Sequence, residues 1–193
     1  MTDHSPSLDA KLIQSNMEAL KEGEELIGLL EPGQYSLGYK PAFQSTIGAH
    51  FRHVLEHYRC FFEQQSKTIF NYDLRDRDQL LECDAEYALS TISELIEALE
   101  ALHNQAIIEP HLSVAEYMIE DEQTSVPVAT SLNRELLFLQ SHTVHHYAII
   151  GAMTRAFGKQ PQDDFGVAIA TRVHNEKCAE NPKALNKGST CAQ

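Results

Sequence analysis

The sequence is poor in basic residues, and this scarcity excludes several classes of function. Only 15 lysines and arginines stand against 28 aspartates and glutamates among 193 residues, which gives a formal net charge of −13. No cluster of basic residues interrupts this acidic composition. A surface of this charge repels nucleic-acid phosphates and anionic lipid headgroups. We therefore expect neither a nucleic acid nor a membrane among the partners of the protein.

Long apolar runs and paired cysteines are also missing. No stretch approaches the roughly 20 apolar residues that span a bilayer, and the N-terminus lacks the cationic start and apolar run of a signal peptide. The four cysteines are scattered, without a CxxC pair: Cys60, Cys83, Cys178 and Cys191. This pattern is typical of reduced thiols rather than of a disulfide framework. We therefore expect a cytoplasmic protein.

The clearest pattern present in the sequence is the helical periodicity of its apolar residues. Apolar residues recur at spacings of three and four in four segments of about 20 residues. The first segment starts at a possible cap, Ser7, and ends before Pro32-Gly33; the others cover residues 46–66, 84–104 and 132–157. Asp84 is a suitable cap for the third helix, and Ser131 or Asn133 for the fourth.

These segments predict an all-α four-helix bundle. Residues 71–78 are charged and irregular and predict a loop, whereas residues 111–129 predict either a short β-hairpin or a long loop. We expect a single domain over residues 1–193, with its core at about 7–158. The tail, residues 159–193, is polar apart from residues 165–168 and should pack back onto the core in part.

Six of the ten histidines fall into two short windows, one on the second predicted helix and one on the fourth. His142 and His146 stand at i and i+4, which places both on one helix face. Imidazole is the commonest metal ligand in proteins. A third imidazole from the other helix would complete a three-histidine site with open positions, as in catalytic metal sites. This requires that the second and fourth helices be neighbours.

Several residues near this site have more than one interpretation. On the second helix His50, His53 and His57 are equally available, and the last two form another i, i+4 pair. Glu56 could be an additional ligand, an acceptor for an imidazole N–H, or a solvated charge. His145 points about 100° away from His146, which favours a packing or hydrogen-bonding role.

Two longer segments carry a resemblance to a known family. The segment Thr46-Ile47-Gly48-Ala49-His50-Phe51-Arg52-His53-Val54-Leu55-Glu56-His57-Tyr58 resembles the second-helix motif of the DinB-like superfamily. The segment Arg134-Glu135-Leu136-Leu137-Phe138-Leu139-Gln140-Ser141-His142-Thr143-Val144-His145-His146 resembles its last-helix motif, in which an HxxxH pair supplies two ligands. Tyr72-Asp73-Leu74-Arg75 and Asp164-Phe165-Gly166-Val167 are similar to features of one subgroup.

The resemblance implies a four-helix bundle, often a homodimer, that holds a divalent zinc, nickel or iron ion with three histidines. Carried over residue by residue, the ligands are His53, His142 and His146, with His50 as the competitor for the second-helix position. Glu56, His57 and His145 remain possible ligands or partners of ligands. Many family members follow the HxxxH pair with Arg-Gly-Gln, whereas this chain has Tyr147-Ala148-Ile149, so no role of that Arg or Gln carries over.

The function implied is that of a metal-dependent hydrolase or thiol S-transferase with a small-molecule substrate, such as a low-molecular-weight thiol. The alternative is a non-catalytic helical-bundle dimer that binds or senses a metal or a small ligand. A third interpretation, a histidine-rich helical protein without a metal, predicts that the two histidine windows lie on separate faces.

Overall fold

The computed structural model describes residues 8–40, 42–64, 67, 69–103, 112–115 and 126–180. Its described residues are mostly helical and include a small three-stranded sheet. The helices are α1 (Leu8–Leu29), α2 (Ile47–Gln64), α3 (Gln79–Cys83), α4 (Ala85–His103), α5 (Leu132–Ala156) and α6 (Ile169–Glu180), and the strands are β1 (Ile69–Phe70), β2 (Leu112–Val114) and β3 (Val128–Thr130).

The four predicted helices correspond to α1, α2, α4 and α5, and local capping explains where three of them begin. The hydroxyl of Thr46 accepts a hydrogen bond from the Ala49 backbone N–H at 3.0 Å, at the start of α2. The Asp84 carboxylate accepts from two N–H groups in the first turn of α4. Ser131, rather than Asn133, caps α5. Each cap satisfies donors that the helix itself leaves unpaired. Ser7 lies outside the described residues.

Three elements were not predicted. The stretch expected to be a loop at residues 71–78 contains a 3₁₀ turn at Tyr72–Leu74, and α3 follows it. The polar tail contains α6, which has no buried residue. The 3₁₀ turn and α3 are short, and the apolar spacing that reveals an amphipathic helix needs several turns to become visible. Helix α6 is long enough but buries no apolar face.

The long helices pack in a ring of contacts. Helix α1 packs against α4 and α5, and α2 packs against the same two helices. Helix α3 lies against α2 and α4. Apolar side chains from all four long helices form the core, among them Ile13, Leu20, Phe51, Leu55, Phe61, Ile92, Leu99, Leu136, Leu139 and Ile150. The contact between α2 and α5 brings together the two helices that carry the histidine windows.

The sheet has the order β1-β2-β3. Strand β1 pairs in parallel with β2, whereas β2 and β3 pair in antiparallel register, with Ser113 opposite Ala129. Of the two alternatives for residues 111–129, the described part therefore shows paired strands. Strand β1 leads directly to Tyr72 and β3 leads directly to α5, so the sheet ties the loop after α2 to the start of α5.

Part of the tail lies against α5. The Phe165 ring is buried and stacks on Tyr147, with centroids 4.7 Å apart. The Arg172 guanidinium pairs with Glu22 on α1 at 2.7 Å. The predicted extent of the domain as a whole remains a prediction. None of the described helices has both the length and the apolar character that crossing a membrane requires.

Candidate metal centre

Imidazoles from α2 and α5 meet at the interface of these two helices. We call His50, His53, His57, His142 and His146 the histidine cluster. Nε2 of His53 lies 3.1 Å from Nε2 of His142, and Nδ1 of His50 lies 3.0 Å from Nδ1 of His146. The expectation that the two histidine windows lie on separate faces is therefore wrong.

The tightest group within the cluster is His53, His57 and His142. One nitrogen from each of these rings lies within 4.8 Å of the other two, which is close enough for a shared metal ion. His146 is also near, since its ring centroid is 4.6 Å from those of His53 and His142. The predicted ligand set of His53, His142 and His146 remains a prediction. By the distances between ring centroids, His57 lies closer to His53 and His142 than His146 does.

A backbone contact fixes the tautomer of His57. Its Nδ1–H donates to the carbonyl oxygen of His53 at 2.6 Å, so the lone pair is on Nε2. The ring of Tyr72 stacks on His57 with a centroid distance of 5.4 Å, and Phe138 stacks on His142 at 5.4 Å. These aromatic rings pack against the imidazoles and help to fix their orientation.

The donor set fits a divalent transition metal. Metal–nitrogen bonds of about 2.0–2.1 Å at tetrahedral angles place two ligand nitrogens roughly 3.3 Å apart. The 3.1 Å separation of the His53 and His142 nitrogens is close to that value. Among the described residues, Nδ1 of His142 is buried without a hydrogen-bond partner. A water molecule is the usual partner for such an atom, whereas Nε2 of His142 is the nitrogen placed to share a metal with His53.

Burial keeps the cluster neutral. Together with repulsion from the neighbouring imidazoles, it lowers the pKa of His142 to about 2 and that of His53 to about 3. Burial also lowers the pKa of His57 and of His146 to about 4, and it lowers the pKa of His50. Neutral imidazole is the form that binds metals, so these rings are ready for a cation at neutral pH.

Arg75 is a member of the site that the sequence did not assign. Its Nη2 lies 3.2 Å from Nδ1 of His53, and its Nη1 donates to the carbonyl oxygen of Tyr72 at 2.8 Å. Its Nε lies 3.6 Å from a carboxylate oxygen of Glu56. The other oxygen of Glu56 accepts from the Asp78 backbone N–H at 2.6 Å. Glu56 thus lies beside Arg75, and burial raises the pKa of its carboxyl group.

A buried hydrogen bond fixes Tyr72 against His57. The Tyr72 hydroxyl donates to Glu135 at 2.8 Å, and the Glu135 side chain is fully buried. Thr130 at the end of β3 also donates to this carboxylate. The only sequence signal for Tyr72 and Arg75 was the Tyr72-Asp73-Leu74-Arg75 motif, because apolar periodicity carries no information about irregular segments.

The other residues that could serve the site lie outside the histidine cluster. His145 is exposed, and its ring centroid is 5.2 Å from that of His146. Arg52 and Arg59 are half-buried in ion pairs with Glu82 and Asp78. Cys60 is buried in the core.

A cavity of about 580 Å³ lies beside the cluster rather than over it. Glu56 and Arg75 form the wall nearest the imidazoles, and Arg59, Glu63 and Tyr87 line the remainder with their neighbours. No histidine of the cluster lines this cavity. The imidazole nitrogens, and not the cavity, define where a metal would lie, because coordination depends on donor positions.

Comparisons with known proteins give a limited result. No family model matches the chain, and no solved structure matches it. The chain is similar to FK506-binding protein 5 of Rhizopus delemar, with 28% identity over 110 residues. The alignment covers 57% of this chain and 28% of that protein, so the chain matches only a little over a quarter of the length of this relative.

Proposed function

We propose that this protein binds a divalent metal ion, namely zinc, nickel or iron, at the interface of α2 and α5. The observation that supports this most directly is the mutual proximity of His53, His57 and His142, whose ligand nitrogens lie within 4.8 Å of one another. Histidines could also lie close together on a polar helix face that is exposed to water. Burial lowers the pKa of each of these three rings, and this argues against such a face.

His53 and His142 are ligands in both assignments that we consider. The resemblance to the DinB-like superfamily names His146 as the third ligand, whereas proximity favours His57. Nδ1 of His146 lies 3.0 Å from Nδ1 of His50, so these two rings already share a hydrogen bond in one tautomeric arrangement. When His146 donates this hydrogen bond, its Nε2 keeps a lone pair, as Nε2 of His57 does, so proximity alone favours His57. We therefore propose His57 as the first alternative to His146.

We further propose that α1, α2, α4 and α5 form a four-helix bundle of the DinB-like kind. Two observations support this. Each of these helices packs against two of the others, and the histidines occupy the positions at which bundle proteins build metal sites from facing helices. Homodimerisation, which the resemblance implies, remains a prediction that sedimentation of the purified protein would check.

The chemistry proposed is that of a metal-dependent hydrolase or thiol transferase. A divalent cation on three neutral imidazoles retains its charge and lowers the pKa of a water or thiol that it binds. His57 is oriented for this role by the carbonyl group of His53, and Tyr72 and Phe138 pack against the cluster from one side. His53 and His142 are only partly buried, so a small substrate can approach the other side.

Metal analysis of purified variants tests the site. The wild-type chain should hold one equivalent of metal, and His53→Gln and His142→Gln should each lose most of it. Comparing His57→Gln with His146→Gln identifies the third ligand, since only one of them should lose metal to the same extent. His145→Gln is the matched control, because this neighbouring ring is exposed. Unchanged metal content in both His53→Gln and His142→Gln would rule out the site.

A non-catalytic, metal-binding or ligand-binding dimer is the second candidate. The observation in its favour is that the cavity beside the cluster is lined by none of the cluster's histidines. Azide titration of the cobalt-loaded protein separates the two candidates. A change in the visible absorption of cobalt indicates an open coordination position and supports catalysis. A spectrum that azide leaves unchanged indicates a saturated site.

A further inference from the structure

Arg75 contacts the histidine cluster and also lines the neighbouring cavity. Its Nη2 lies 3.2 Å from Nδ1 of His53, and the residue is part of the lining of the cavity of about 580 Å³. Its side chain is 16% exposed, so part of it can be reached by a ligand. This position connects the proposed metal to the space in which the remainder of a ligand would fit.

One edge of this guanidinium group is incompletely satisfied. Nη1 donates to the Tyr72 carbonyl oxygen, but Nε is buried without a hydrogen-bond partner among the described residues. The nearby Glu56 oxygen is 3.6 Å away, which is too far for a hydrogen bond, and the Asp78 backbone holds the other oxygen of Glu56. Nε and Nη2 share the edge through which arginine donates two parallel hydrogen bonds to a carboxylate.

Metal binding would also leave Nη2, the second nitrogen of this edge, without an acceptor. Arginine can only donate, so the 3.2 Å contact requires a lone pair on Nδ1 of His53 and a proton on its Nε2. Nε2 is also the nitrogen that lies 3.1 Å from His142. If it binds a metal, the proton must stand on Nδ1, and two donors would then face each other. The ring stays neutral, but Nη2 loses its acceptor.

The charges at the site also favour an anionic ligand next to Arg75. The proposed ligands are neutral imidazoles, so a divalent ion keeps its full charge, and Arg75 adds another positive charge beside it. Glu56 is the acidic group in contact with Arg75. Arg59, on the same cavity wall, is already paired with Asp78 at 3.1 Å. Glu63 and Asp76 also line the cavity, together with Arg77, and the two carboxylates disfavour a polyanion there.

We infer that Arg75 binds the carboxylate of a small ligand whose other end reaches the metal, an inference that rests on the metal binding proposed above. The carboxylate would take up the Nε–Nη2 edge once the Glu56 side chain moves aside, because Nε is buried next to that side chain. A donor atom such as sulfur would occupy an open metal position. The substrate class is thus a small carboxylic acid with a metal-binding group. Arg75 is then a determinant of specificity, since it selects the carboxylate.

Two thiols that differ in one group test this inference on the cobalt-loaded full-length protein. Mercaptoacetate and 2-mercaptoethanol both offer sulfur, but only mercaptoacetate carries a carboxylate. Sulfur-to-cobalt charge-transfer absorption follows binding of each thiol and yields its Kd. The wild-type protein should bind mercaptoacetate at least about tenfold more tightly, as expected for a charge-assisted bidentate contact. Arg75→Gln should reduce this preference to about one.

Control variants separate this contact from general electrostatics and from misfolding. Arg59→Gln removes a positive charge from the same cavity and should leave most of the preference intact. Arg75→Lys keeps the charge but lacks the two-donor edge, and it should lose most of the preference. This variant also serves as the test if Arg75→Gln does not fold, as judged by circular dichroism.

Two outcomes would overturn the inference. In the first, the preference for mercaptoacetate over 2-mercaptoethanol is the same in the wild type and in both Arg75 variants. In the second, the wild type shows no such preference because Glu56 closes onto the guanidinium group. In either case the protein would still bind cobalt, and the proposed metal site would stand. Absence of cobalt binding in the wild type would instead refute the metal site, and the inference with it.

Discussion

The backbone at Gly166 comes unusually close to α5, and an alanine at this position tests the contact between the tail and the helix that carries two histidines of the cluster. Gly166 has a φ of +73°, and a Cβ placed on it would lie 2.4 Å from the Ala148 backbone nitrogen and 2.6 Å from the Tyr147 carbonyl carbon. Real Cβ atoms do not approach backbone this closely. Neither atom can move without distorting α5, so the tail itself must shift.

Gly158 provides a matched control for the magnitude. Its φ is +75°, but a Cβ there would meet nothing within 4 Å. An alanine in this left-handed conformation costs about 1–2 kcal/mol, offset by about 0.4–1 kcal/mol from the reduced entropy of the unfolded chain. Gly158→Ala should therefore cost about 1 kcal/mol. Gly166→Ala carries the same terms plus an overpacking cost of about 1–3 kcal/mol, and it also disturbs the stacking of Phe165 on Tyr147.

Urea unfolding of the metal-free protein, followed by circular dichroism, measures the difference. The expected result is a midpoint for Gly166→Ala clearly below that of Gly158→Ala, with similar denaturant dependence in both. Equal losses in the two variants would refute the close packing of residues 163–167 on α5. The loss at Gly166 would then reflect backbone conformation alone.

Three further predictions concern the site. Because burial lowers the pKa of His57 to about 4 and those of His53 and His142 further, the Kd for zinc, measured against a competing chelator, should change by less than about tenfold between pH 7.5 and 5.5. Three ordinary imidazoles would weaken binding about a thousandfold over that range, and such a loss would contradict the lowered pKa values. In the metal-free protein these lowered pKa values mean that the unfolded chain binds more protons than the folded chain below the ordinary histidine pKa of about 6.5. The free energy of unfolding should therefore fall as pH drops from 6.5 towards 3. Replacing His57 by Gln should weaken that pH dependence, and an unchanged urea midpoint profile would count against the shift. Finally, Tyr72→Phe removes a donor from the buried Glu135 carboxylate and should cost about 1–3 kcal/mol in urea unfolding. It should leave the metal content unchanged, because the ring that stacks on His57 remains; loss of metal would show that the hydroxyl group itself serves the site.

The extent to which the sequence predicted the fold depended on the length of each element. Helices α2, α4 and α5 lie close to their predicted ranges because each repeats its apolar pattern over several turns and begins at a polar cap such as Asp84 or Ser131. The turn at Tyr72–Leu74 and helix α3 are too short for such a pattern. The tail helix α6 buries no apolar face, so nothing in its periodicity distinguishes it.

The sequence alone determined that two helices each carry a group of histidines and that His142 and His146 share a face, because helical geometry follows directly from spacing. It left open which third imidazole lies closest, and it assigned no role to Arg75. Only tertiary packing decided these points. The contact of α2 with α5 brings His57 next to His142, and the segment between β1 and α3 places Arg75 against His53. Such contacts depend on how helices and irregular segments meet in space, and local periodicity along the chain does not encode that arrangement.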